Sequence, residues 1–300
     1  MSRPGRAGVT MNGPVLNRRL LWLGGGANLA LGGAGAAFMI GRERAPWPKR
    51  ALPALDGQGR LEREGASLWH GWIGRGEPVL LLHGGLSSSR AWADHIPSLV
   101  QAGRRVILVD SRGHGQSTLG SGALTYERLV ADLGFVLDHL GVIRPDLIGW
   151  SDGANVALRM AMDDRRPVRR VLAFGADMGP GAVRPDAGTA PIVAEVAKRL
   201  RADYQAVSPV PAGYDALVDQ VRAMQAKGFS GGSAGLARVR ARAVMIAGGA
   251  RDEFILPAHF AWIASAIPGA RLFVHEGTGH FMPWTHRGRF GRAVGDFLSS

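Results

Sequence analysis

The chain has 300 residues, enough for one large domain with a sizeable core or for two small ones, and its 46% hydrophobic and 20% charged content is that of a globular protein. It contains no cysteine, which excludes disulfides and Cys-ligated metal sites but chooses no compartment. The net charge of +12 is uneven: residues 1–50 hold eight Arg or Lys and one acid, so most of the excess lies beside an apolar stretch. With no aromatic–basic interleaving and no zinc or RNA-binding signature, a nucleic-acid partner is not expected.

Residues 21–40 carry no charge, follow Arg18-Arg19 and precede Arg42-Glu43-Arg44. Twenty uncharged residues span a bilayer core of about 30 Å, although six of them are Gly and five Ala. Asn17-Arg18-Arg19-Leu20-Leu21-Trp22 has the form of a twin-arginine export signal, and Ala34-Gly35-Ala36 offers a small-residue cleavage site. The expectation for residues 1–45 is a membrane anchor or an export signal. A cytosolic extension, or a start at Met11, is the alternative. Location is thus expected to be membrane-anchored or exported, with membrane association through residues 21–40. Residues 46–59, with Pro46, Pro48 and Pro53, read as a linker.

The main folded domain is expected over residues 60–300. Arg60–Glu64 and Ser67–Ile73, broken at Gly65, suggest an opening hairpin. Pro78–Leu82 and Arg105–Asp110 are continuous apolar runs of the kind buried on both faces of a parallel sheet. Ala91–Ala102 reads as a helix between them. Thr125–Leu140 is a stronger one, with Leu129, Leu133, Val136, Leu137 and Leu140 on one face and Gly141 as its stop. Asp146–Gly149, Val168–Phe174, Ala241–Ala247 and Arg271–His275 read as strands. Ala258–Ala266 and Arg289–Leu298 read as helices. This alternation predicts an α/β class, a mostly parallel doubly wound sheet. Residues 179–240 interrupt it, and sixty residues exceed a plain loop. Ile192–Ala206 and Tyr214–Lys227 look helical, so a small inserted helical cap over the sheet edge is expected there.

The chemistry centres on Gly149-Trp150-Ser151-Asp152-Gly153, between the strand at 146–149 and a helix-forming run from Ala154 to Met162. Strand, tight turn and helix hold a serine hydroxyl proud of a sheet edge, and crowding at the turn demands Gly on both sides. Ser151 is the candidate nucleophile, and a serine needs an adjacent base. Among nine histidines, His280 in Gly277-Thr278-Gly279-His280 follows the strand at 271–275 directly. His275 lies inside that strand and His286 at a helix start. The orienting acid is expected at Asp252, just past the strand at 241–247, with Glu253 as its competitor. The oxyanion donors are expected to be the backbone N–H groups of Asp152 and of Gly85, with Leu86 as the alternative to Gly85. His83 is read as a brace for that loop, and Asp110–Ser117 as a structural turn, so His114 is left out of catalysis. The Asp152 carboxylate has two readings: attraction of a substrate ammonium, or pairing with protein groups.

The motifs L-L-H-G-G at 81–85, D-S-R-G-H-G-Q-S at 110–117, G-W-S-D-G at 149–153, G-A-R-D at 249–252 and G-T-G-H at 277–280 stand in the order found in the α/β-hydrolase fold superfamily. The chain resembles that superfamily from about residue 60 to 300. G-W-S-D-G further resembles biphenyl-hydrolase-like and related esterases. The resemblance implies a Ser151/Asp252/His280 hydrolase, with a helical cap between the sixth and seventh strands, and no metal or cofactor. The 1–50 extension and the Ala/Gly-rich cap depart from most relatives. Cleavage of small-molecule carboxylic esters through an acyl-enzyme is the leading expectation. Carbon–carbon bond hydrolysis, amide hydrolysis or cofactor-free haloperoxidation would use the same triad. A non-catalytic binding protein on a hydrolase scaffold is the reading from a different class. The acyl and alcohol groups and the oligomeric state are not legible.

Overall fold

A computed structural model describes residues 51–300. The expectations for the export signal or anchor, and the first part of the linker, lie outside the described residues. Among the described residues no helix is long and apolar enough to cross a membrane.

The elements run β1 (Gly57–Arg63), β2 (Ala66–Ile73), β3 (Glu77–Leu82), α1 (Ile96–Gln101), β4 (Arg104–Val109), α2 (Tyr126–His139), β5 (Asp146–Trp150), α3 (Asp152–Met160) and β6 (Arg170–Phe174). After these come α4 (Pro191–Val207), α5 (Tyr214–Lys227), α6 (Gly232–Leu236), β7 (Ala243–Gly249), α7 (Pro257–Ala266), β8 (Arg271–His275), α8 (Met282–Thr285) and α9 (Arg287–Ser299). One eight-stranded sheet has the order β1-β2-β4-β3-β5-β6-β7-β8. β2 is antiparallel to both its neighbours, and every pairing from β4 through β8 is parallel. The sheet is therefore mostly parallel, as the apolar runs imply. Every residue of β5 and β6 is buried, so a continuous run rather than an alternating one is what these positions require. Parallel strands deliver their C-terminal ends to one edge, and ligands collect there.

Several elements differ from the sequence expectation. β1 begins at Gly57, inside the stretch read as linker. Its residues alternate between half-buried and exposed, so it carries little apolar signal, and antiparallel pairing with β2 makes it a strand. The helix expected over 91–102 is split into a 3-10 turn at Ser89–Trp92 and the short α1. Pro97 is the reason, because proline lacks an amide donor and fits only a helix's first turn. The short helices α6 and α8 were not expected.

α2 follows its pattern closely. Thr125 caps it by accepting from Arg128 N, Leu129, Leu133, Val136 and Leu137 are buried, and Gly141 leaves it at a φ of 65°. α4 and α5, between β6 and β7, bury Val193, Val196 and Leu200 on one side and Leu217, Val218, Val221 and Met224 on the other. Tyr204 and Tyr214 meet edge-on at 5.3 Å between ring centroids, an arrangement aromatic pairs favour.

Candidate active site

Ser151 sits between β5 and α3 with φ 58° and ψ −122°. This conformation costs a non-glycine residue about 1–3 kcal/mol and persists only where its surroundings impose it. Two neighbours show how. A side chain on Gly149 would overlap the Gly153 carbonyl and the Ala154 Cα. One on Gly153 would overlap the carbonyls of Leu82 and His83 at the end of β3. The second glycine thus clears the adjacent strand rather than the first glycine. The turn is anchored by Ser151 N donating to Phe174 O at 2.8 Å.

His280 and Asp252 are brought together at the same sheet edge. His280 Nδ1 lies 2.8 Å from Asp252 Oδ2. A carboxylate only accepts, so Nδ1 carries the proton and Nε2 is left as the basic nitrogen. Asp252 is buried, and its other oxygen accepts from Phe254 N and Ile255 N, both at 2.9 Å. Its orientation is therefore set by backbone. Burial pulls the His280 pKa down, but the Asp252 charge and hydrogen bond, with the charges of Glu253 and Asp152, outweigh it and leave the pKa above its ordinary 6.5. Glu253 does not take the acid's place. Its Oε2 accepts the His280 backbone N–H at 2.6 Å, and burial pushes its own pKa up. The remaining side of the loop is held by Trp150, whose Nε1 donates to His280 O at 2.8 Å.

Two glycines make this proximity feasible: Gly175, which no sequence motif singles out, and Gly249, the first residue of the G-A-R-D motif. A side chain on Gly175, at the end of β6, would stand 2.8 Å from His280 Cε1 and 3.0 Å from Nδ1. A side chain on Gly249, at the end of β7, would overlap the Thr278 carbonyl. Both clear space for the loop carrying His280. The signal available was small residues at two consecutive strand ends, but which loop they face depends on the sheet order.

The loop carrying Gly85 follows β3. His83 Nδ1 bonds Gly84 O at 2.8 Å, and His83 Nε2 accepts from Ser111 N at 3.0 Å. One nitrogen donates and the other accepts, so the ring is neutral, and burial lowers its pKa to about 4. Ser87 N adds a second bond to Gly84 O at 3.2 Å. Because a peptide is planar and trans, pinning the Gly84 oxygen on one edge aims the Gly85 N–H from the opposite edge. Asp152 N heads α3, where helix geometry supplies no carbonyl partner. Leu86 follows with a φ of 61° and faces the same cavity as Gly84 and Gly85. Asp110–Ser117 is a bonded turn: the Asp110 carboxylate accepts from Ser89 N and Gln116 N, and Ser117 Oγ donates to Asp110 O. His114 Nδ1 bonds Arg112 O within it, and burial with the neighbouring His83 lowers its pKa to about 3.

The Asp152 side chain is engaged within the protein. Tyr126 Oη donates to Oδ1 at 2.6 Å and Gln225 Nε2 to Oδ2 at 3.0 Å. Burial raises its pKa despite those bonds. Of the two readings of this carboxylate, pairing with protein groups describes the geometry. Tyr126 and Gln225 were not identified from sequence, since they lie on α2 and α5 with nothing local to link them to the elbow.

Ser151 opens into a cavity of about 390 Å³, mouth included. Its walls are Leu86, Trp150, Val196, Leu200, Val221, Phe281 and Trp284, with Ser87 and Gln225 as polar side chains besides Ser151. This apolar lining suits a small organic ligand, and no charged side chain contributes to it. Among the described residues no three His, Asp or Glu side chains gather as metal ligands would.

The family model described as the alpha/beta hydrolase fold matches residues 77–205. A 2-hydroxy-6-oxononadienedioate/2-hydroxy-6-oxononatrienedioate hydrolase of Cupriavidus pinatubonensis is 26% identical over 75% of this chain and 87% of that protein. A 2-hydroxymuconate semialdehyde hydrolase of a Pseudomonas species is 29% identical over 75% of this chain and 88% of its own length. Among solved structures, a hydrolase from Pseudomonas aeruginosa superposes with a TM-score of 0.68 at 25% identity, over 82% of this chain and 99% of that one. Read with the strand order and the strained turn after β5, these likenesses support hydrolysis as the reaction class, and the chain has the α/β-hydrolase fold.

Proposed function

We propose that the protein is a serine hydrolase of neutral, small-molecule carboxylic esters. The observation that carries this reading is the 2.8 Å contact of His280 Nδ1 with Asp252, at the same sheet edge as Ser151 and beside an uncharged cavity. In this reading Ser151 Oγ attacks the ester carbonyl while His280 Nε2 takes its proton. The oxyanion is held by the N–H groups of Gly85 and Asp152, each such donor contributing about 3–4 kcal/mol to the transition state. The C–O bond breaks as His280 returns the proton to the leaving alcohol. Water then repeats the sequence on the acyl-enzyme, and the free acid leaves. Asp252 holds the tautomer and stabilises the imidazolium.

Carbon–carbon bond hydrolysis is the second reading, favoured by the two relatives that span 75% of the chain. One of them is named for a dioate, a substrate with two carboxylates. An anion of that kind needs a cationic partner when buried, and the cavity beside Ser151 offers none. The deciding experiment compares p-nitrophenyl esters of graded acyl length with a 2-hydroxy-6-oxo-dienoate, on wild type and S151A. Ester turnover lost in S151A supports the proposal. Turnover of the dienoate alone supports the second reading. A fluorophosphonate that leaves no adduct at Ser151 in intact protein refutes both and favours a binding role.

A further inference from the structure

The cavity beside Ser151 is apolar except for Ser151 and two other side chains, and one of them is left incomplete. Gln225, on α5, donates from Nε2 to Asp152 Oδ2 at 3.0 Å. Its other amide atom, Oε1, is buried and accepts no hydrogen bond among the described residues. An acceptor left in this state costs the full desolvation of a carbonyl, so it calls for a donor from whatever fills the cavity. Its orientation is also determined. A carboxylate cannot donate, so Asp152 faces the amide nitrogen and turns Oε1 to the opposite side. Asp152 in turn is fixed by Tyr126 Oη at 2.6 Å, and Tyr126 Oη accepts from Asn155 Nδ2 at 3.2 Å. The chain of bonds Asn155–Tyr126–Asp152–Gln225 ends in one unpaired acceptor on a residue that lines the cavity.

We propose that Gln225 Oε1 is a specificity-determining acceptor for a neutral hydrogen-bond donor, a hydroxyl or an amide N–H, on the acyl part of the substrate. This rests on the serine-hydrolase reading of the same site and names its substrate class: hydroxyacyl or N-acylaminoacyl esters rather than plain alkanoates. The acyl side is indicated by the lining. Gln225 stands beside the Gly85 loop, because Asp152 Oδ2, which accepts from it, is the atom a side chain on Gly85 would meet, whereas the leaving alcohol departs with the proton that His280 holds. A cationic donor is disfavoured, because the one nearby carboxylate already accepts from two protein groups. A site built to bond a donor rejects the analogue lacking it far more strongly than an apolar pocket rejects a changed methyl group.

The test uses two matched pairs of p-nitrophenyl esters on the full chain: 3-hydroxybutyrate against 3-methoxybutyrate, and N-acetylglycinate against N-acetylsarcosinate. The leaving group is constant, and each pair differs only by capping the donor. The expected result is a donor-to-capped ratio in kcat/KM of about tenfold or more for at least one pair, the pair indicating whether the donor is O–H or N–H. In Q225M, which keeps the volume and removes the acceptor, the ratio falls to near one. D152N is the second variant, and it carries the test if Q225M does not fold. Its side-chain amide supplies an N–H to Gln225 Oε1, so the acceptor is satisfied internally and the ratio falls without any change at Gln225. Because each ratio is taken within one protein, a general loss of activity cancels. A wild-type ratio near one for both pairs, or a ratio unchanged in Q225M, overturns the proposal. Calorimetric binding of the corresponding methyl esters to S151A separates the two levels. A donor preference in S151A that disappears in S151A/Q225M supports the acceptor role even if the wild type turns over none of the esters, in which case only the esterase reading fails.

Discussion

Replacing Gly175 by alanine tests how tightly the imidazole is placed. The new methyl would stand 2.8 Å from His280 Cε1 and 3.0 Å from Nδ1, against an ordinary contact of 3.4 Å or more. The backbone is not free to retreat, since Gly175 N donates to Ala247 O at 2.8 Å. The ring must therefore recede by roughly 0.5 Å, pushed at Nδ1, which bonds Asp252, and at the adjoining Cε1. Displacement of a catalytic group by about 1 Å costs about 10²-fold, so G175A is expected to lower kcat/KM for a p-nitrophenyl ester by about 10- to 100-fold. The substitution also carries a backbone cost, because Gly175 has a φ of 68°, worth about 1–2 kcal/mol for a residue with a Cβ. G269A controls for it: Gly269 has a φ of 74° with nothing within 4 Å of an added methyl. Both variants should lose about 2–8 °C of Tm, and only G175A should lose activity. Equal kcat/KM in the two variants would refute the claim that Gly175 acts through the imidazole.

Three further outcomes follow from the site. The raised pKa of His280 means that its imidazole is still partly protonated at pH 6.5, so, with His280 as the proposed general base, kcat/KM should rise with pH through an apparent pKa above 6.5. D252N should move that limb down, since burial alone lowers the imidazole pKa, and should cut the plateau by about 10⁴-fold; a pH–rate profile of each protein reads both effects. H83A releases the Gly84 carbonyl and so disorients the Gly85 N–H, which should lower kcat by about 10²-fold with little change in KM. Because His83 titrates at about 4, it should add no limb to the wild-type profile above pH 5. Finally, Arg112 is fully buried and donates to both Asp132 oxygens at 2.7 Å. D132A strands that guanidinium, which should cost about 3–5 kcal/mol and lower Tm by about 10 °C in a thermal melt.

How much of the protein is legible in its sequence depends on how local each cause is. The strands β3, β4, β5 and β6 announce themselves because burial on both faces demands a continuous apolar run, and α2 because one buried face imposes a period of 3.6. β1 does not, since Gly57–Arg63 is half exposed and its strand character comes from pairing with Ala66–Trp72. Pro97 shortened α1 through a missing donor, a cause that was local and still went unread in favour of helix-forming neighbours.

The same division runs through the site. Ser151, Asp252, His280 and Gly85 were named from the chain alone, because each follows an apolar run within a few residues and parallel strands deliver such positions to a common edge. What the sequence could not contain is who stands opposite whom across that edge. Gly175 faces His280 only because β6 lies beside β7. Gln225 meets Asp152 only because α5 folds back over the elbow. Tyr126, at the start of α2, meets the same carboxylate because α2 packs against α3. These contacts join residues separated by long stretches of chain, and their partners are selected by packing, which no local pattern encodes. The candidate chemistry was thus written in short motifs, while the placement of the imidazole and the unpaired acceptor on a cavity-lining residue were decided by tertiary structure.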